Sequence, residues 1–150
     1  MQTDHINRHA TAVDRIHRLL LSVTDSDLRE RPDGWSVREV VGHLIDSAGN
    51  NHQRVCRIVP GGNLSFPAYD QRTFVDRAGY DGFDWPTLVV AWYSFNLLLL
   101  HMFARIPEEM LSSSTVTVGD RAPVSYDRLI EDYYTHLEIH EEQVHRIAGI

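Results

Sequence analysis

The fold is decided by the stretch Gly34-Trp35-Ser36-Val37-Arg38-Glu39-Val40-Val41-Gly42-His43-Leu44-Ile45-Asp46. Ser36 and Glu39 have the spacing of a capping box, in which each side chain accepts a hydrogen bond from the backbone N–H of the other residue. Trp35 and Val40 have the spacing of a hydrophobic staple around the same helix start. The stretch therefore predicts a helix that begins near Ser36 and continues until Pro60-Gly61-Gly62 ends it.

Three further segments repeat apolar side chains with helical periodicity, over residues 6–23, 84–106 and 125–147. A shorter helix is expected near residues 70–77, inside the long connection of residues 60–84. Residues 112–125 fit either a small hairpin or an extended loop. Long helices with little strand favour an all-α fold, an antiparallel four-helix bundle with a long connection between helices 2 and 3. Residues 1–150 are expected to form a single domain.

Composition excludes several classes of protein. A chain with 43% hydrophobic and 23% charged residues is typical of a folded globular protein. Its net charge of −7 argues against a nucleic-acid or anionic-membrane partner. No continuous apolar run approaches the roughly 20 residues that span a bilayer. The start, Met1-Gln2-Thr3-Asp4-His5, lacks the pattern of a signal peptide, and the lone Cys56 is expected to be a buried, inert thiol, so a cytoplasmic location is predicted.

Histidine is abundant, with nine in the chain. His136 and His140 are four residues apart, so on a helix their imidazoles project from one face. They lie in or beside the apolar stripe of the predicted last helix. Burying an imidazole without a partner costs about 1–3 kcal/mol, which a shared metal ion would offset. Core histidines bonded to Tyr or Asp side chains are the alternative interpretation.

His43 is the third candidate ligand. It begins a polar row on the second helix, in which Asp46, Asn50 and Arg54 follow at three, seven and eleven residues. The row fits either a solvated face or part of a site. Two ligands from one helix and one from another are typical of metal sites in bundles, and three protein ligands leave a position open for chemistry. Asp46 is the candidate catalytic base, or alternatively a residue that orients a ligand histidine.

The other polar candidates are expected to be structural. His5 and His9 repeat the four-residue spacing but lie near the chain start, where we expect solvated side chains. His101 is expected in the core or on the surface. Glu138, Glu141 and Glu142 are expected to form a solvated helix face.

Three segments together resemble the DinB superfamily. They are the 34–46 stretch, the proline-led Ile106-Pro107-Glu108-Glu109-Met110-Leu111, and Tyr134-Thr135-His136-Leu137-Glu138-Ile139-His140-Glu141-Glu142-Gln143-Val144. The resemblance covers almost the whole chain. It implies a DinB-like four-helix bundle with an unusual connection order, and a divalent metal ion, zinc or nickel, held by His43, His136 and His140. It also implies that Gln143 supports the ligands.

The resulting functional hypothesis is a metal-dependent hydrolase of an unknown small molecule. Two alternatives stay open: a metal-dependent thiol S-transferase that uses a low-molecular-weight thiol, and a non-catalytic metal-binding stress or interaction bundle that forms a homodimer. A water or small anion at the fourth coordination position favours catalysis. A fourth protein ligand, such as Asp46 or Gln143, favours a structural role.

Overall fold

The computed structural model describes the backbone of residues 2–150 and the side chains from His5 onward. Met1 and the side chains of residues 2–4, on which the signal-peptide expectation partly rests, lie outside the described residues. The helices are α1 (Gln2–Ser22), α2 (Val37–Cys56), α3 (Gln71–Ala78), α4 (Trp85–Ala104), α5 (Glu108–Ser113) and α6 (Tyr126–Ala148). The strands are β1 (Asn63–Phe66), β2 (Thr115–Val118) and β3 (Val124–Ser125), and a 3₁₀ turn covers Tyr80–Gly82.

The helix starts follow the local sequence signals. The Ser36 hydroxyl accepts from the backbone N–H of Glu39 at 3.1 Å, and the Glu39 carboxylate accepts from that of Ser36 at 2.8 Å. This confirms the predicted capping box. Asp70 caps α3 and Asp84 caps α4 in the same manner. These caps fix where each helix begins, and therefore which side chains face the core.

The four long helices form the bundle. Both α1 and α2 pack against α4 and against α6. Trp92, Phe103, Leu44 and Leu137 are among the fully buried side chains between them. Burial of such side chains, worth about 1.5–3 kcal/mol each, is the main stabilising contribution to the fold. Because α2 lies against α6, a residue of the second helix is brought beside the last helix.

A small three-stranded sheet accompanies the bundle. β1 pairs in parallel with β2, and β2 pairs antiparallel with β3. Of the two alternatives for residues 112–125, the structure therefore contains the hairpin. The expectation of an all-α fold misses β1, because a four-residue strand leaves little periodicity and its partner lies 52 residues away. The connection between α2 and α4 is thus organised into β1, α3 and the 3₁₀ turn.

Helix α4 contradicts the expectation that no segment of the chain is long and apolar enough to span a membrane. An 18-residue window of this 20-residue helix has a mean hydropathy of 1.6, so by length and composition the helix could cross a membrane. The expectation that no segment could span a membrane was based on uninterrupted apolar runs. It did not take into account that the polar residues of α4 are uncharged. A helix in the core of a folded bundle has the same composition. Here Trp92, Leu99 and Phe103 are buried, whereas Val90 and Leu97 are exposed.

Two other expectations were wrong. Glu141, assigned to a solvated face, is only 8% exposed. Arg15 donates to its two carboxylate oxygens at 2.7 and 2.6 Å, which joins α1 to α6. The pair spans 126 residues of sequence, so helical periodicity alone gives no sign of it. Cys56, expected to be buried, is exposed at the end of α2.

Candidate metal centre

The structure brings the imidazoles of His43, His136 and His140 together. His43 comes from α2 and is fully buried, and the other two are partly buried on α6. The Nε2 atom of His136 lies 2.9 Å from that of His43 and 3.1 Å from that of His140. The three ligand atoms thus lie within 4.8 Å of one another. Around a tetrahedral ion with bonds of about 2.0–2.1 Å, nitrogen ligands are about 3.3 Å apart, which is close to this arrangement.

Hydrogen bonding alone does not account for this convergence. A single proton between two imidazoles can satisfy one pair, but it leaves the third Nε2 without a donor or acceptor of its own. Burial lowers the pKa of His43 to about 3 and that of His136 to about 4, and it also lowers the pKa of His140. The rings are therefore neutral near pH 7, which is the state that binds a metal ion. Three imidazole nitrogens suit zinc, nickel or copper.

Gln143 orients one of the three rings. Nδ1–H of His140 donates to Oε1 of Gln143 at 2.7 Å. This bond fixes the proton on Nδ1 and leaves the lone pair of Nε2 directed toward the other imidazoles. The Nδ1 atoms of His43 and His136 are buried and have no hydrogen-bond partner among the described side chains.

Asp46 lies one helical turn after His43, but it contacts another group. The Tyr80 hydroxyl donates to its Oδ1 at 2.6 Å, and its Oδ2 is buried without a partner. Burial raises the pKa of this carboxyl group. Asp46 lines a depression with Asn50 and Phe74, whereas His136 lines a different cavity. In the part of the chain that the structure describes, Asp46 makes no hydrogen bond to the three imidazoles.

Tyr80 reaches Asp46 because Gly42 makes room for it. A Cβ atom built on Gly42 would overlap the Tyr80 ring. The glycine thus allows the 3₁₀ turn to pack directly against α2, next to His43. Neither Tyr80 nor Gly42 was expected as a site residue, because a glycine inside a helix indicates a close approach without identifying the partner.

A cavity of about 380 Å³ opens beside His136. Its α2 wall is formed by Ser47, Asn51 and Arg54, and Tyr69 closes part of the opposite side. Tyr69 hydrogen-bonds Ser47, and burial raises the pKa of its hydroxyl. The cavity is large enough for a small-molecule substrate, and it borders the three-histidine cluster at His136.

A second cluster contains His5, His9 and Glu131, whose ligand atoms also lie within 4.8 Å of one another. His9 is only 2% exposed and stacks on Tyr134, so the expectation of a solvated side chain was wrong for His9; His5 is exposed. Arg8 donates to the second oxygen of Glu131 at 2.8 Å. Because that guanidinium is already a cation on the carboxylate, the cluster is less suited to a metal ion than the three imidazoles.

His9 makes the stability of the metal-free protein depend on pH. Burial lowers its pKa from 6.5 to about 4, so between these values the unfolded chain binds a proton that the folded chain does not. We expect the urea midpoint to fall as the pH is lowered from about 7.5 to 4, and His9→Phe to reduce that fall. The exposed His101 is the control, as His101→Phe. Equal slopes for His9→Phe and the wild type would contradict this assignment.

Comparisons with known proteins identify the family and the fold. The model of the DinB superfamily matches residues 8–144. Among solved structures, YfiT from Bacillus subtilis aligns with a TM-score of 0.80 at 17% sequence identity, over 99% of this chain and 87% of its own. YfiT is described as a probable metal-dependent hydrolase with an unusual four-helix bundle topology. A search of curated proteins gives no match. The family model covers most of the sequence, and the chain therefore belongs to the DinB superfamily.

Proposed function

We propose that this protein is a hydrolase that depends on a divalent ion, zinc or nickel, held by His43, His136 and His140. The observation that carries the proposal is that the three Nε2 atoms converge without a fourth protein ligand among the described residues. Gln143 is bonded to the far side of the His140 ring, and Asp46 is bonded to Tyr80. Three ligands beside a cavity are typical of catalytic rather than structural sites.

When bound, such an ion polarises an acyl carbonyl and acidifies water, which is the chemistry that amide or ester hydrolysis requires. The protein's own groups hold and orient the reacting centre. His43, His136 and His140 fix the position of the ion, and Gln143 keeps the His140 tautomer that can bind it. Trp35 lies 5.0 Å from the His43 ring, centroid to centroid, and shields that side from water. The description of YfiT supports the same class of reaction.

Asp46 acts in this proposal as a positioning residue rather than as the base. It holds Tyr80 and thereby the 3₁₀ turn against α2, and it lines a different depression from His136. Tyr69 and Ser47, in contrast, line the same cavity as His136.

The proposal is tested with cobalt-substituted protein and an ester and amide panel. We expect visible bands typical of four- or five-coordinate Co²⁺, a shift of these bands on addition of azide, and metal-dependent hydrolysis that disappears with chelation. Bands that do not respond to azide would indicate a fourth protein ligand and a structural ion. Transfer of a low-molecular-weight thiol to an electrophile, without hydrolysis, would favour the S-transferase alternative instead.

A further inference from the structure

The cavity beside His136 contains a cationic side chain that the proposed hydrolysis does not use. Arg54 lies on α2 eleven residues after His43, a rotation of about three turns plus 20°, so both residues lie on the same helix face. Arg54 lines the cavity, and the central carbon of its guanidinium lies 5.2 Å from the centroid of the Phe66 ring. Arg54 is thus placed on the wall of the same cavity, at the end away from His43.

Arg54 lacks an anionic partner. None of the ion pairs formed by the described side chains includes it. Its Nε is buried without an acceptor, and its one side-chain hydrogen bond, to Asn51, is long at 3.4 Å. Burial accordingly lowers the pKa of its guanidinium. A half-buried arginine without a counter-ion has lost part of its hydration, and a ligand that supplies negative charge would offset that loss.

The surroundings add positive rather than negative charge. Arg121, in the turn between β2 and β3, lines the same cavity. Among the described side chains, Asp132 is the one carboxylate on the cavity wall, and it forms an ion pair with Arg128 at 2.8 Å. Arg54 and Arg121 thus place two positive charges on one cavity of a chain whose net charge is −7. A carboxylate or phosphate accepts bidentate hydrogen bonds from a guanidinium, and would satisfy the free Nε–H.

We infer that the cavity binds an anionic substrate, whose carboxylate or phosphate is held by Arg54 while its reacting group lies at the three histidines. This inference rests on the proposed function. The Cα atoms of His43 and Arg54 are about 16 Å apart along α2, and the arginine side chain leans back toward the helix start. The anionic group and the reacting group of the substrate are therefore separated by roughly 10 Å, which excludes the smallest acids.

The experiment uses hydroxamates, which bind metal ions, with a variable carbon chain. Each compound is a hydroxamic acid with two to eight methylene groups and ends in either a carboxylate or a neutral carboxamide. Binding to the cobalt-loaded protein is followed by the visible bands. We expect the acid to bind at least tenfold more tightly than the matched amide at the longer chain lengths, and the shortest pair to bind equally.

Substitutions of Arg54 distinguish a role in binding the anionic group from a role in the stability of the fold. Arg54→Met removes the preference for the acid, and it leaves the Tm unchanged or higher, because an unpaired buried charge is replaced by an apolar side chain of similar length. Arg54→Lys retains part of the preference. Arg57→Met, at an exposed arginine one turn further along, is the matched control and keeps the preference.

Each outcome decides between the two proposals. If hydroxamates bind but acids and amides bind equally at every length, the anionic subsite is wrong and the metal centre stands. If Arg54→Met lowers the Tm and keeps the preference, Arg54 is structural and the inference is wrong. If no hydroxamate alters the cobalt bands, the open metal position fails, and the inference fails with it.

Discussion

Replacing His136 by alanine should reduce the affinity for zinc or nickel by more than about 100-fold, because loss of a ligand exceeds the 10–100-fold effect of removing a supporting residue. His136 is the central member of the cluster, since its Nε2 lies within 3.1 Å of those of His43 and His140. Zinc should also raise the Tm of the wild type and not of the variant, because the ion joins α2 to α6 only in the folded state. Isothermal titration calorimetry of the metal-free proteins measures the affinities, and thermal unfolding with and without zinc measures the change in Tm.

Two further variants compare the loss of a metal ligand with the loss of a supporting residue and of a residue outside the site. Gln143→Ala removes the acceptor of the His140 Nδ1 proton and should weaken binding about 10–100-fold. His9→Ala, in the second cluster, should leave the affinity unchanged. A loss of affinity in His9→Ala together with an unchanged affinity in His136→Ala would show that the ion binds near the start of α1 instead.

Gly42→Ala should destabilise the protein by about 3 kcal/mol, since overpacking a well-filled core costs 1–3 kcal/mol and Tyr80 would also lose its hydrogen bond to Asp46. For a chain of this size, the Tm should fall by roughly 6–12 °C. Urea unfolding followed by circular dichroism measures the free energy of unfolding directly.

Gly49 provides the matched control in the same helix. A Cβ atom there would meet only Phe95, at an ordinary 3.9 Å. Gly49→Ala should therefore stabilise the protein, by up to about 1 kcal/mol, through helix propensity alone. If both substitutions stabilise the protein, the close packing of Tyr80 on α2 is not a constraint on the fold.

Much of the bundle could be predicted because its signals are local. Ser36 and Glu39 are three residues apart, and the spacing of apolar side chains within each helix decides which face is buried. The resemblance to the DinB superfamily predicted His43, His136 and His140 together as the metal ligands. Spacing alone supported only the pair on α6, since it cannot show that α2 lies beside that helix.

What the sequence could not show depends on residues far apart in the chain. The bond between Tyr80 and Asp46 and the pair of Arg15 with Glu141 join separate elements. Arg54 was noted as part of a polar row, but its lack of an anion follows only from the packing of the residues around it. A carboxylate on one helix pairs with whichever arginine the fold brings near, and helical periodicity does not encode that choice.

The parallel pairing of β1 with β2 has a consequence for the order of folding. The two strands are separated by 52 residues, so closing the intervening chain costs about 3.5 kcal/mol of entropy. Helices α2 and α6 need no such closure to form locally, and they can develop before the strands meet. In a refolding experiment, the helical signal should therefore return before the amides of β1 gain protection from exchange. We therefore expect the strands beside the cavity to pair only after the individual helices have formed.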